Sequence, residues 1–298
     1  MIGPHGPAPV EIGPVGHRAR EAWAFSAQLH GGAVDDEVWA MHRRGMCTAT
    51  SLLARSAGAV VGTILAYPSA VVATKRDLVG TLLTGLAVAP CWRGRGLASL
   101  LVRTVTDACA RDGGDVTFGW FGSRSLAERA GYGHAASYVG GRVAVVGGST
   151  SHGPASLRVC PYVPGAGPVG GVGRDRWLAV PTEASESAQF FDYGGLSPLL
   201  LRVVRRAGAR YPYAILSTSE RRREDVIEVV RGGSPEARLD LIRETVRHLG
   251  VRRVGHLPRD EADALGGFEA EHAVELFVRV HSRRATSLVR LSPEVDLA

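Results

Sequence analysis

The stretch LAVAPCWRGRGLASLL, residues 86–101, changes character twice within its length. Leu86, Ala87 and Val88 end an apolar run that starts at Leu83. Pro90 stops that run, because proline has no amide to give a sheet ladder. Gly94 and Gly96 then form a turn whose backbone can approach a ligand without Cβ obstruction. From about Gly96 to Arg111 the spacing predicts a helix with Leu97, Leu100, Leu101, Val105 and Ala108 on one face, closed by Gly113–Gly114. The first amides of a helix have no partner within it, and the positive end of its dipole lies behind them. A strand, a glycine turn and a helix start in this order make a nest for a pyrophosphate, and Arg93 and Arg95 add charge at its rim.

Two other phosphate loops fit less well. No Gly-Lys-Ser/Thr follows, so this is not a Walker loop, and the G-x-G-x-x-G spacing of a dinucleotide turn is broken. The turn also follows strands that read as antiparallel. Upstream, Pro9–Pro14 reads as a strand, His17–Leu29 and Val34–Met41 as helices, and Thr48–Ala54 and Ala59–Tyr67 as strands joined at Ser56–Gly58. Pro68 makes the end of the last run an edge or a bend. Downstream come a strand at Val116–Phe121, a short helix at Ser125–Arg129 and two closing strands around Ala136–Val146.

Residues 147–173 are rich in Gly, Pro and Ser and hold one strand candidate, Leu157–Tyr162. Three units are therefore expected: a ligand-binding domain over 1–150, a linker over 151–172 and a second domain over 173–298. The second partly repeats the first in architecture: strand Asp225–Val230, a Gly/Pro turn, helix Glu236–Leu249, strand Val251–Leu257, short helix Asp260–Leu265, a stop at Gly266–Phe268 and strand Ala273–Val280. Its turn, Val230-Arg231-Gly232-Gly233-Ser234-Pro235-Glu236, puts a carboxylate where a phosphate would sit.

Hydrophobic residues make up 45% and charged residues 21% of the 298, which fits a globular protein. No apolar run reaches the length of a membrane span, and the N-terminus lacks the charged-then-apolar order of a secretory signal, so a cytoplasmic protein is expected. The net charge of +6 does not point to nucleic acid: Lys75 is the sole lysine, and the arginines are scattered apart from short runs at 221–223 and 252–253. Cys47, Cys91, Cys109 and Cys160 have neither disulfide-framework nor zinc spacing, and Cys91 and Cys109 read as core thiols. No metal site is expected.

Arg93-Gly94-Arg95-Gly96-Leu97-Ala98 resembles motif A of the GNAT superfamily of N-acetyltransferases, written Arg/Gln-x-x-Gly-x-Gly/Ala, and the preceding L-A-V-x-P strand end also fits. Leu126-Ala127-Glu128-Arg129-Ala130-Gly131-Tyr132 resembles the family's motif B. The resemblance covers residues 8–147, and Leu265–Arg279 looks like the end of a second, degenerate unit. It implies an α+β fold of two GNAT-like domains, each a mostly antiparallel mixed sheet flanked by helices. It also implies acetyl-CoA as co-substrate. Carried over, Leu86 and Val88 would pair with the pantetheine arm, the amides of Arg93, Gly94, Arg95, Gly96, Leu97 and Ala98 would hold the pyrophosphate, and the Val88 N–H would face the oxyanion. Motif B usually supplies a tyrosine that protonates the leaving thiolate, and Ala127 stands there. Tyr132 is the substitute candidate, at what is usually an apolar packing position.

The tandem layout is similar to that of the bleomycin-family antibiotic N-acetyltransferases, and the Gly-Tyr-Gly-His after motif B resembles Eis-type aminoglycoside acetyltransferases. These imply transfer to a primary amine of a small molecule, such as an antibiotic. A non-catalytic acyl-CoA-binding scaffold and a protein-lysine acetyltransferase are the alternatives. A protonated amine must lose a proton before it attacks. In this fold the acceptor lies beside His30, Asp35, Asp36 and Glu37, with Glu37 the base candidate and helix capping the competing reading for the acids. Trp120 and Phe121 suit either the acceptor channel or the core, and His134 is a further candidate near the thiol. The second domain would shape the acceptor site or form a homodimer.

Overall fold

One mixed sheet runs through the molecule, and its order shows how the two blocks of sequence are joined. The structure is a computed structural model that describes residues 9–31, 36–73, 76–144, 157–161, 177–181, 201–209, 212–219, 224–283, 285 and 295–297. The first block supplies β1 (Val10–Pro14), α1 (Ala19–Leu29), α2 (Asp36–Gly45), β2 (Leu52–Ser56), β3 (Ala59–Ala73), β4 (Arg76–Val88), α3 (Leu97–Arg111), β5 (Val116–Trp120), α4 (Arg124–Arg129) and β6 (Gly133–Val143). After it come β7 (Leu157–Pro161), β8 (Trp177–Pro181), β9 (Arg202–Arg206), β10 (Tyr213–Ser219), β11 (Glu224–Arg231), α5 (Pro235–Leu249), β12 (Arg253–Pro258), α6 (Arg259–Leu265), β13 (Phe268–Val280) and β14 (Val295–Leu297). The main path is β1-β2-β3-β4-β5-β13-β6-β12-β11-β10-β9-β7, with β8 pairing β3 and β14. Neighbours are antiparallel except β4–β5, β11–β12 and β8–β14.

Most elements follow the spacing, and the departures have local causes. Pro68 lies inside β3 rather than at its end. It falls between Ile64, where pairing with β2 stops, and Ser69, where pairing with β8 starts, so on that side it needs no amide. Of the two strands expected around Ala136–Val146, the described residues show one, ending at Val143, with no hairpin within it; residues 145 and 146 lie outside the described residues. Gly140 and Gly141 allow a close crossing within this strand. A Cβ on Gly141 would lie 2.1 Å from the Glu269 carbonyl oxygen, and one on Gly140 would lie 2.1 Å from the His272 ring. Phe268 opens β13 instead of closing the preceding turn. Cys109 is buried as expected, whereas Cys91 is exposed on the turn after β4, contrary to its reading as a core thiol.

The centre of the sheet, β5-β13-β6-β12, interleaves the two blocks. Each block gives a strand to the other: β13 separates β5 from β6, and β6 separates β13 from β12. The parallel pairs β4–β5 and β11–β12 flank this exchange, so the order reads alike from both ends. Across the seam, Arg253 lies between Glu224 (2.7 Å) and Glu271, and Arg142 reaches both carboxylates at 3.6 and 3.2 Å.

Alternation along the strands sorts the core onto two faces. Leu65 and Tyr67 of β3 pack with Trp23 of α1, Leu82, Phe118, Tyr138, Ile215 and Leu276. Ile64 and Ala66, one residue out of phase, pack with Leu97, Leu101, Val105, Phe121, Tyr132 and Phe277 under α3 and α4. A third cluster lies beneath α5 and α6 and includes Val139, which is the partner of Ala273. Ala273 and Phe277 share a face of β13, so α3, α4, α5 and α6 cover one face and α1 covers the other.

Candidate active site

The turn between β4 and α3 is built as the glycines demand. Gly94 (φ +75°) and Gly96 (φ +80°) both take left-handed backbone, and a Cβ at either would meet nothing within 4 Å. The space above the turn is therefore open, and Arg93, Gly94, Arg95 and Gly96 are exposed around it. Gly96 is the N-cap of α3 and brings no side-chain acceptor, so the first-turn amides are left for a ligand. Arg95 lies over the Trp92 ring at 5.0 Å, which holds a cation at the rim. Of the apolar face expected for α3, Leu97, Leu101 and Val105 are buried, but Leu100 is 44% exposed.

Below the turn, β4 and β5 separate. Their parallel pairing ends at Leu83–Gly119, while β4 continues to Val88. The Ala89 N–H bonds to the Val61 carbonyl at 2.9 Å, so the peptide groups of Val88, one residue earlier, point away from β3 and into the gap. The Val88 carbonyl there accepts from Arg93 Nε at 3.1 Å. Leu86 has the same backbone sense and adjoins a bulge, where the register with β3 shifts between Thr63 and Leu65. Gly85 makes this bulge. Its φ is +59°, and a Cβ would come within 2.9 Å of Leu65 Cδ1 and 3.0 Å of Ser26 Oγ. The sequence reading passed over Gly85, although a glycine inside a leucine-rich strand is the usual mark of a bulge.

The motif B residues lie on the α3 face. Ala127 is fully buried in α4, and Tyr132 is 3% exposed. Thr106 Oγ1 donates to the Val102 carbonyl at 2.6 Å, so it accepts from the Tyr132 hydroxyl, also at 2.6 Å. The Tyr132 oxygen in turn contacts Thr117 Oγ1 at 2.8 Å, and Thr117 contacts His281 Nε2 at 3.0 Å. Burial pushes the phenol up to about 12. Thr117 pairs with Thr81 in the closed part of β4–β5, below the point where the strands part. Tyr132 is thus placed as a packing residue and not as a proton donor at the gap. Tyr132→Phe is expected to lower stability by about 1–3 kcal/mol through the stranded threonines while leaving thiol release unchanged. A variant of full stability with a hundredfold slower release would restore the tyrosine as the acid.

The acceptor-side candidates divide. Exposed Asp36 pairs with Arg20 of α1, which fits the capping and surface reading. His30 caps the end of α1, its N–H bonding to the Ser26 carbonyl while the Gly31 N–H bonds to that of Gln28. Asp35 lies outside the described residues, and Glu37 lies in α2 with a side chain outside the description. Phe121 is core, packed on Tyr132 and Phe277. Exposed His134 contacts Ser137 Oγ at 2.9 Å and the Phe277 ring edge. Trp120 is half-buried on the α1 face and packs on Tyr138 and His256. The structure also brings in His42, which no pattern marked. It is buried between Trp23 and Tyr67, and its Nδ1 lies 2.8 Å from the Tyr67 hydroxyl. Burial pushes it down to about 4, so it is neutral at pH 7.

The corresponding turn in the second block is closed. Ser234 Oγ accepts the Ala237 N–H at 3.3 Å at the start of α5. The Glu236 carboxyl is held below its usual range by its own backbone N–H and by Ser234. Arg238, buried against Glu261, also donates to the Gly233 carbonyl at 3.0 Å. The anion-binding groups there are already used by the chain itself. Among the described residues no group of three or more His, Cys, Asp or Glu side chains could hold a metal, and no helix is long and apolar enough to cross a membrane.

The open cradle, the bulge and the parted strands together leave free amides and open space at one place between β4 and α3. Residues 18–135 match the family described as an acetyltransferase (GNAT) domain, so the first block carries a GNAT domain, whose chemistry is acyl transfer from acyl-CoA. No curated protein matches the chain significantly in sequence. Among solved structures, the chain is similar to a GCN5-related N-acetyltransferase from Anabaena variabilis, with a TM-score of 0.66 and 12% identity over 92% of this chain and 73% of that one. It is also similar to Eis1 from Mycobacterium abscessus, with a TM-score of 0.64 and 16% identity over 92% and 75%. A tandem GNAT protein from the clavulanic acid biosynthesis pathway shares a TM-score of 0.53 and 14% identity over 92% of this chain and 99% of that one. These likenesses are of fold.

Proposed function

We propose that the chain transfers an acetyl group from acetyl-CoA to a primary amine of a small molecule. The observation that carries this reading is the open turn at Arg93–Gly96, whose two left-handed glycines leave free amides and free space at the start of α3. The amides of Arg93 to Ala98 hold the pyrophosphate, Leu86 and Val88 pair with the pantetheine arm, and the Val88 N–H stabilises the oxyanion. Val88 supports that role because its peptide groups face the gap. An antibiotic is the acceptor class we favour; what supports it is the likeness of fold to a tandem GNAT protein from the clavulanic acid biosynthesis pathway. We place the protein in the cytoplasm, without nucleic-acid or membrane partners, as a homodimer formed through the second block.

A second reading is a non-catalytic acyl-CoA-binding scaffold of the same fold. The buried Ala127 and the enclosed Tyr132 favour it, since neither offers the usual proton donor. The thiol of CoA is nevertheless a tolerable leaving group, with a typical thiol pKa of about 8.5. Saturating acetyl-CoA is expected to raise the melting temperature, by the equivalent of about 2.7 kcal/mol at a hundredfold excess over Kd. Free thiol should then appear when an amine substrate is added. Stabilisation without thiol release across alkyl, aryl and amino-sugar amines would favour the scaffold, and no stabilisation would remove both readings.

A further inference from the structure

The α3 face of the gap between β4 and β5 is taken up by the cradle and the start of α3, so the second substrate must enter from the α1 face. Trp120 stands at that entrance. It follows Gly119, the last residue of β5 paired with β4, and its partner Leu276 belongs to the α1-face core. The ring packed on Trp120 comes from the other block: the His256 imidazole lies 5.7 Å from the indole, centroid to centroid, with the planes 39° apart. Tyr138 also packs on the indole, edge to face, with ring centroids 5.1 Å apart.

The chain fixes the protonation of His256. Its Nδ1 lies 3.3 Å from the backbone carbonyl of Glu228, and a carbonyl only accepts, so Nδ1 carries the proton and Nε2 keeps its lone pair. Among the described residues no hydrogen bond is made by Nε2, and Nε2 is not one of the enclosed, unpaired atoms. The groups around the ring keep it uncharged. Burial lowers its pKa, the Glu228 carbonyl raises it, and His272 lowers it again. His272 leans toward this strand over Gly140, where a Cβ would block it. The Glu228 carboxylate is engaged by Ser217, and Arg253, three residues back, is held by Glu224 and Glu271. The bulge in β12 between Val254 and Leu257 turns His256 to the α1 face, while Val254 and Leu257 both point into the opposite core.

We propose that Trp120 and His256 form the inner wall of the acceptor site, and that His256 Nε2 takes the proton the amine gives up. This rests on the acetyl-CoA reading above. The arriving ammonium first gives a proton to Nε2; the freed nitrogen lone pair then bonds to the thioester carbonyl carbon, the carbon–sulfur bond breaks, and the second proton released from nitrogen goes to the leaving thiolate. An uncharged imidazole can do this, and the Trp120 face suits an amine's cationic form on arrival. The second block then has a chemical part in the reaction: the strand exchange carries β12 alongside β6 and brings His256 to Trp120, at the point where β5 parts from β4.

The test uses the full chain labelled with ¹⁵N-histidine and a CoA thioether whose sulfur bears CH2–CO–NH–butyl, which places a nitrogen where the acceptor's would be. His256 signals are assigned by their loss in His256→Gln. Expected are a neutral Nδ1–H ring at pH 7 and a shifted Nε2 resonance when the thioether binds, with little change when CoA alone binds. A ring protonated at pH 7, an Nε2–H tautomer, or a bound thioether that leaves Nε2 unmoved would each overturn the assignment. Failure of CoA itself to bind would instead overturn the acetyl-CoA reading, and this inference with it.

Discussion

Acetyl-CoA is expected to stabilise the wild-type protein and to leave the melting temperature of Gly96→Glu unmoved. Gly96 sits at φ +80° with open space where its Cβ would be. A glutamate there places a carboxylate in the volume the pyrophosphate needs, at the mouth of the only free helix start the described residues show between α3 and α5. Like-charge repulsion and lost volume act together, so the expected loss of affinity exceeds a hundredfold. The left-handed backbone also costs a non-glycine residue about 1–2 kcal/mol, so the ligand-free variant melts lower. The diagnostic is therefore the ligand-induced shift of each protein and not its absolute midpoint. Gly96→Ala separates the two effects: it carries the same backbone cost without charge, and it is expected to keep a reduced shift. A full shift in Gly96→Glu would show that the cofactor binds elsewhere.

The cradle was legible in the sequence because its parts are local. A proline stop, two glycines and a helical stripe adjoin one another, and each acts through its own backbone. The bulge at Gly85 was equally local and was missed for want of weight given to one glycine within a strand. The seam could not be read in the same way. Nothing near Gly140 and Gly141 says that β13 crosses them, because its residues come more than a hundred positions later in the chain. Likewise His256 and Trp120 carry no common motif and meet only because the blocks exchange strands. Tyr132 was only partly legible: its motif position pointed to packing, but the threonines of α3 and β5 that enclose its hydroxyl were invisible in the sequence. β9 and β10 were not anticipated either, although Val203–Val204 and Ile215–Leu216 are β-rich pairs set in arginine- and serine-containing stretches.

Gly141→Ala is expected to destabilise the protein far more than Gly13→Ala, and the contrast tests the strand exchange directly. Both glycines lie in strands with ordinary backbone, so neither substitution carries a positive-φ cost. At Gly13 an added Cβ meets nothing within 4 Å, and the change is expected to stay within about 0.5 kcal/mol. At Gly141 the same methyl lies 2.1 Å from the Glu269 carbonyl oxygen and 2.9 Å from Ala270 Cα. Those atoms are backbone and cannot rotate away as a side chain would, so β13 itself must move. Overpacking of this kind costs about 1–3 kcal/mol or more, and each kcal/mol lowers the midpoint by about 2–4 °C in a chain of this size. Displacing β13 also loosens Phe277 and Leu276, both fully buried, and Leu276 is the strand partner of Trp120. The substitution should therefore weaken the acceptor side of the site while sparing the cradle, which rests on β4 and α3. Equal stability of the two variants would mean that β13 does not cross β6 at Gly141, and the seam on which His256 depends would have to be redrawn.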